Sequence, residues 1–497
     1  MQIEATRNVR RWATHIIWRI LPLTGVVVVL SYVISTQTVR PHHRMIKAAV
    51  LLVVLAILMK FEMVYCIYFF VVMFPFPSGI VLTSTNVILM TMIVLVWLVR
   101  ARATGQRVFE RTGVDIWIAL FLASYFVSLF SIETTHQLTE GIKLIWRQVT
   151  AFALFYLIVK FVDDENKLER MTQFIAISGG LVALTGIIEL FAPGSVLIPG
   201  WIEFDQRRGM GMLGFRVEGI RLGGAFGAHN LLSDYCSFTL LFMVVHFLRA
   251  KNPIGKIFWI TLVIMAFSVL LATANRGAVA STAFGFVYAM WVFRRYLSLV
   301  KYVILIACAI TAFGVTQMVL EKYTLAASVT GRLMGTQFEG MVPDSRVGIW
   351  EDTFVASLDH IFIGHGPLFQ TGRGVKRVYW PHNGYLFYLY TIGLFGLSMF
   401  LMIAYRLFKS SLRYYHPLAH GTYLGLTMAI LHVMLAMFLF GQIRTDHQRD
   451  TDFIYIYIVW MFFGLIAAAG RILDRRIQNA TAPSSGDGTA AIDAGST

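Results

Sequence analysis

The chain has 497 residues, of which 57% are hydrophobic and only 14% charged, with a mean hydropathy of +0.68; a soluble globular domain carries about 25% charge, so that class is excluded. The formal net charge of +15 could suggest a nucleic-acid partner, but the basic residues sit mostly in short connectors between apolar runs. That placement is the positive-inside pattern of a membrane protein, not an anion-binding surface.

Apolar runs near the roughly 20 residues that cross a bilayer recur from end to end. In chain order the spans fall at 17–35, 47–59, 62–76, 79–99, 114–132, 144–161, 171–191, 231–249, 257–274, 278–293, 302–319, 383–407, 419–441 and 453–470. The expectation is an all-α polytopic membrane protein of about 12–14 transmembrane helices, with both termini cytoplasmic. Arg7, Arg10 and Arg11 precede the first span, and no A-x-A site follows it, so it reads as an uncleaved signal anchor. Lys60 and Glu62 mark either the turn between two short helices or a charged pair inside one long tilted helix. Cys66, Cys236 and Cys308 lie inside apolar runs without metal-ligand spacing, which argues against a disulfide framework or a zinc site.

The expected organisation is an N-terminal helical region (1–191), a first long loop on the non-cytoplasmic side that is partly re-entrant (192–230), central helices (231–319), a large loop on the same side (320–382), C-terminal helices (383–470) and a disordered cytoplasmic tail (471–497). Both long loops mix Trp, Tyr, Phe and Arg, a composition able to fold against a membrane surface.

Arginines on the outer side run against the topological bias. Arg216 and Arg221 lie in GFRVEGIRLGGAFGAHNLL (214–232), which reads either as re-entrant backbone aiming Arg221 at a site or as a surface loop. Arg276, in ATANRGAVAS, has almost no loop around it. It can grip two phosphate oxygens at once or snorkel to lipid headgroups. His382 closes the second loop in WPHNGYLFYLYTIGLFGL (380–397). Imidazole titrates near neutrality and suits proton removal, yet a histidine at a helix start is also a common interfacial residue, with Asn383 as a plain N-cap.

Three segments together resemble the O-antigen ligase and polymerase family, across roughly 210–400: GIRLGGAFGAHN, ATANRGAVAS, and DSRVGIWEDTF with IFIGHGPLF and PHNGYLFYLYTIGLFGL. The serine of that family's S-R-G-A turn is replaced here by Asn275. The resemblance implies a GT-C-like fold in a bacterial inner membrane with its site facing the periplasm. It implies an inverting, metal-independent glycosyltransferase without cofactor. His382 corresponds to the general base and Arg221, Arg276 and Arg346 to diphosphate-binding groups, supported by Asn383, Asn230, His229 and Arg216. The implied partners are an undecaprenyl-diphosphate-linked glycan, an acceptor glycan (a lipid-linked chain or lipid A core) and membrane lipids. Nucleic acid is not among them.

Two other readings stand beside it. A flippase-type transporter for the lipid-linked glycan would use ionisable residues within spans, for which Asp234 and Glu189 are candidates. A metal-dependent transferase would use the D-x-D pair Asp450 and Asp452. No G-x-x-x-x-G-K-[ST] loop is present, which disfavours ATP-driven transport by this chain alone.

Overall fold

Helix starts here are fixed by short polar side chains that satisfy the first free backbone N–H groups. Thr134 and Asp164 begin two of them, Asn252, Asn275, Asn383 and Thr422 four more. The computed structural model describes residues 53–76, 83–192, 222–294, 313–319, 342–369, 380–443 and 453–481, with short pieces at 196–198, 202–203, 307, 310–311, 322 and 338–339. Among the described residues, besides short helical pieces at 53–58 and 313–319, twelve α-helices are delimited: α1 Met63–Met73, α2 Thr83–Thr104, α3 Asp115–Ser128, α4 Thr135–Phe161, α5 Glu165–Phe191, α6 His229–Arg249, α7 Pro253–Ala272, α8 Arg276–Val292, α9 Asp344–Ser357, α10 Gly384–Ser411, α11 Tyr423–Gly441 and α12 Phe453–Thr481. Eight of the described helices are long and apolar enough to cross a membrane. The all-α polytopic expectation therefore holds. Two small antiparallel hairpins, Val196–Ile198 with Ile202–Glu203 and Phe338–Glu339 with Val342–Pro343, are the described strands. The expected span at 17–35 lies outside the described residues, as do Asp450 and Asp452 and most of 302–312.

α12 is the hub of the bundle, with 94% of its apolar window buried, whereas α7 is peripheral at 22%. Trp460 and Phe463 of α12 pack on Phe121, Phe152 and Phe155 of α3 and α4 and on Phe438 of α11. The question at Lys60 and Glu62 is settled by a break. Residues 53–58 are helical, 59–61 turn, and α1 begins at Met63. The Arg100 guanidinium donates to the Leu58 and Met59 carbonyls, which closes the exposed end of the first helix.

Most of the ion pairs among the described residues gather at one end of the bundle, Lys143 with Glu140 early in α4 being an exception. Lys167 pairs with Asp163, Arg249 with Glu169, Arg413 with Asp474, Arg471 with Glu110 and Arg476 with Glu165. These pairs join the end of α4, the start of α5, and the ends of α6, α10 and α12. It follows from helix direction that the starts of α6, α8, α10 and α12, and the end of α11, lie together at the opposite end.

One departure from the expected pattern is inside α10, which reads as a single apolar span. Gly393 has φ 68° and ψ −176°, so the helix is broken there. Residues 361–366 fill the break. His365 and Gly366 N–H donate to the Tyr390 and Thr391 carbonyls before it, while Leu394 and Phe395 N–H donate to the Ile361 and Phe362 carbonyls after it. Broken helices survive at membrane depth only when other protein satisfies their backbone. The approach demands glycine on both sides: a Cβ at Gly364 would lie 2.3 Å from the Thr391 carbonyl oxygen and one at Gly393 2.3 Å from that of Phe362. Thus part of the segment expected as a large outer loop returns into the bundle. Phe354, Val355, Leu358 and Phe362 stay exposed along the outer flank of α9 and the turn after it, an apolar surface suited to lipid.

Candidate active site

Two turns stand out at the end opposite the ion pairs. Among the described residues, Ala274 (φ 50°) and His382 (φ 48°) are the non-glycine residues with positive φ. Each immediately precedes an asparagine N-cap. The left-handed region costs an L-residue about 1–2 kcal/mol, and such outliers cluster at functional sites because the surroundings hold them there.

At the first turn, Asn275 Oδ1 accepts from Gly277 and Ala278 N–H and so starts α8 at Arg276. Its Nδ2 donates to Ser233 Oγ at 2.7 Å, and Ser233 donates to the Asn230 carbonyl at 2.8 Å. Arg276 is thereby tied to the first turn of α6, which carries His229 and Asn230; all three are half-buried. The stretch before α6, Leu222 to Phe226, is buried and ends in a single 3-10 turn at Gly224–Phe226. Glu189 Oε2 accepts from Gly223 and Gly224 N–H at 2.8 and 2.6 Å, and Thr185 Oγ1 accepts from Ala225 N–H at 2.9 Å. Glu189, a candidate path-lining acid on sequence grounds, thus anchors this backbone. Asp234 is buried and acts electrostatically on Tyr455 of α12. Arg216 and Arg221 lie outside the described residues.

At the second turn, Asn383 Oδ1 accepts from Tyr385 and Leu386 N–H and caps α10. Gly384 N–H donates to the Gln442 carbonyl and Tyr385 Oη to the Leu439 carbonyl, both at 2.7 Å, which binds the start of α10 to the end of α11. α11 in turn meets α8 through the stacked rings of Phe440 and Phe284. Below His382, Trp380 packs on Phe369 and Phe387, and Phe369 on Tyr390, which stacks on His365.

Arg346 enters through α9. Residues 346, 350, 353 and 357 fall on one helical face. Arg346 and Trp350 are half-buried there, and Thr353 and Ser357 fully buried. Trp350 Nε1 donates to the Pro381 carbonyl at 2.7 Å, directly before His382. Arg346 therefore shares the face of α9 that meets the His382 turn.

The sequence model of one family, described as O-antigen ligase, matches residues 237–401. That stretch, about a third of the chain, is similar to the O-antigen ligase family. No curated protein matches the chain. The O-antigen ligase match takes in Arg276, Arg346, His382, Asn383 and the Gly393 break, and begins just after the segment with His229 and Asn230. At a coarse level the match supports a glycosyl-transferring enzyme of the membrane. Sequence reasoning had not singled out Trp350, Ser233 or the 361–366 insertion. Trp350 and the glycines of IFIGHG stand inside segments that carried the resemblance, but their partners lie about 30 residues away in the chain.

Proposed function

We propose that the protein transfers a glycan from undecaprenyl diphosphate to a sugar hydroxyl at the periplasmic face of a bacterial inner membrane, as a polysaccharide polymerase or O-antigen ligase. The supporting observation is that both strained turns, with Arg276 after one and His382 in the other, stand at the end of the bundle away from the ion-pair layer. By the positive-inside rule that end faces the periplasm.

In this reading His382 takes the proton of the acceptor hydroxyl as its oxygen attacks the anomeric carbon. The bond from that carbon to the diphosphate breaks, and its electron pair leaves with the phosphate oxygen. Arg276 and Arg346, with Arg221 in the same role, stabilise the growing charge without a metal or cofactor, aided by the starts of α6 and α8, where the positive ends of the helix dipoles favour anions. A single displacement inverts the anomeric centre. Arg216, His229, Asn230 and Asn383 shape the pocket around these groups.

The test supplies a defined undecaprenyl-diphosphate-linked glycan and candidate acceptors to the purified protein in lipid vesicles. Transfer should persist in EDTA and fall by about 10²–10⁴-fold in His382→Ala, the usual worth of a general base. Arg276→Lys, which keeps charge but loses the bidentate grip, should lose at least tenfold. Full product from His382→Ala would overturn the assignment. Glycan crossing the vesicle membrane without covalent product would support the transporter.

A further inference from the structure

We infer that Trp350 is a positioning residue for the base: its indole N–H, by holding the Pro381 carbonyl, sets the backbone from which His382 projects. The inference rests on the proposed role of His382 in transfer.

The turn is clamped from both sides. Before His382, the Pro381 carbonyl receives Trp350 Nε1 at 2.7 Å, which fixes the peptide plane joining residues 381 and 382. After it, Asn383 is held by its two cap bonds and Gly384 N–H by the Gln442 carbonyl. With the peptide plane before His382 held by Trp350 and the chain held again at Asn383 and Gly384, the φ of 48° at His382 is kept by its surroundings, and the direction in which its Cα–Cβ bond leaves the backbone is kept with it. A histidine freed on one side would relax toward an ordinary negative φ, which swings its side chain to a different direction. The Asn383 cap alone would not prevent this, because it acts on residues after His382.

The donor of the clamp is on the helix that bears Arg346, one turn earlier. α9 is itself held by the following segment, since His365 Nε2 lies 2.8 Å from the Ala356 carbonyl and residues 361–366 are bonded across the α10 break. A tie at Trp350 and a second at 361–366 thus make α9 and the outer half of α10 one frame, with Arg346 and His382 both mounted on it. Reactions between two bound partners are sensitive to such frames, because a displacement of about 1 Å can cost 10²-fold.

Trp350→Phe keeps an aromatic ring, smaller than the indole, at the same place and removes the N–H donor. The variant, in vesicles of undecaprenyl-linked donor lipid, should show kcat lowered about 10- to 100-fold with donor KM within about twofold of the parent and unchanged folded yield. Trp350→Ala should lower kcat at least as far. A Trp350→Phe enzyme with parental kcat overturns the inference, as does one that loses only folded yield or donor KM. His382→Ala in the same assay separates the two claims: full activity there removes the base assignment itself, whereas an inactive His382→Ala beside a fully active Trp350→Phe removes only the role of Trp350.

Discussion

Asn275 serves two neighbours from one amide. Its oxygen caps α8 and its nitrogen reaches Ser233 across to α6, so the residue ahead of Arg276 sets both the start of the helix and its docking. Losing a cap costs about 1 kcal/mol, and losing a buried hydrogen bond a similar amount. Asn275→Ala should therefore lower stability by about 2 kcal/mol, seen as a drop in Tm of the detergent-purified protein. Asn275→Ser keeps a capping oxygen and should recover about half of that loss. A Tm for Asn275→Ala equal to the parent would show that the Ser233 link carries no stability. The arginine and the asparagine are both visible in ATANRGAVAS. What could not be read there is Ser233, 42 residues earlier, because a serine inside an apolar helix carries no mark of the turn it will meet.

α10 illustrates the limit of reading elements from hydropathy. Its start was legible, since His-Asn before an apolar run is a capping pattern, and its length and apolarity were legible too. The break was not: glycine is common in membrane helices, and nothing local distinguishes Gly393 from Gly396. What makes Gly393 special is a second glycine, Gly364, arriving from the preceding connector. Each position has positive φ and a facing carbonyl where a Cβ would sit. Gly393→Ala and Gly364→Ala should each destabilise by more than about 2 kcal/mol, combining left-handed strain with a backbone clash. Gly348→Ala, on α9 with nothing within 4 Å of its added Cβ, should be neutral or stabilise by up to about 1 kcal/mol through helix propensity. Melting curves of the three variants decide the matter. A Gly393→Ala protein as stable as Gly348→Ala would mean that the helix closes over the gap and that residues 361–366 do not occupy it.

On the scale of the whole molecule, orientation follows from how charge is distributed among helix ends. The ion pairs are not the main source of stability, since partly exposed pairs contribute about 0–1 kcal/mol each. Their value is geometric: four of the pairs, Arg249–Glu169, Arg413–Asp474, Arg471–Glu110 and Arg476–Glu165, join separate elements and can form only if the corresponding helix ends share a side. In the proposed orientation, argued from the positive-inside rule, that side is cytoplasmic and the His382 turn periplasmic. Cys66 and Cys236 are buried, so with Cys308 changed to Ser the chain offers a quiet background for single reporter cysteines. Lys143, exposed in the first turns of α4, lies at the end of the bundle that holds His382. Lys251, exposed between α6 and α7, lies at the end that holds the ion pairs. In intact bacterial spheroplasts a membrane-impermeant maleimide should label Lys143→Cys and leave Lys251→Cys untouched until the membrane is opened. The reverse pattern would turn the molecule over. It would put His382 and Arg276 in the cytoplasm, where a glycan already carried to the outer leaflet could not reach them, and transfer to a periplasmic acceptor would no longer be possible for this site.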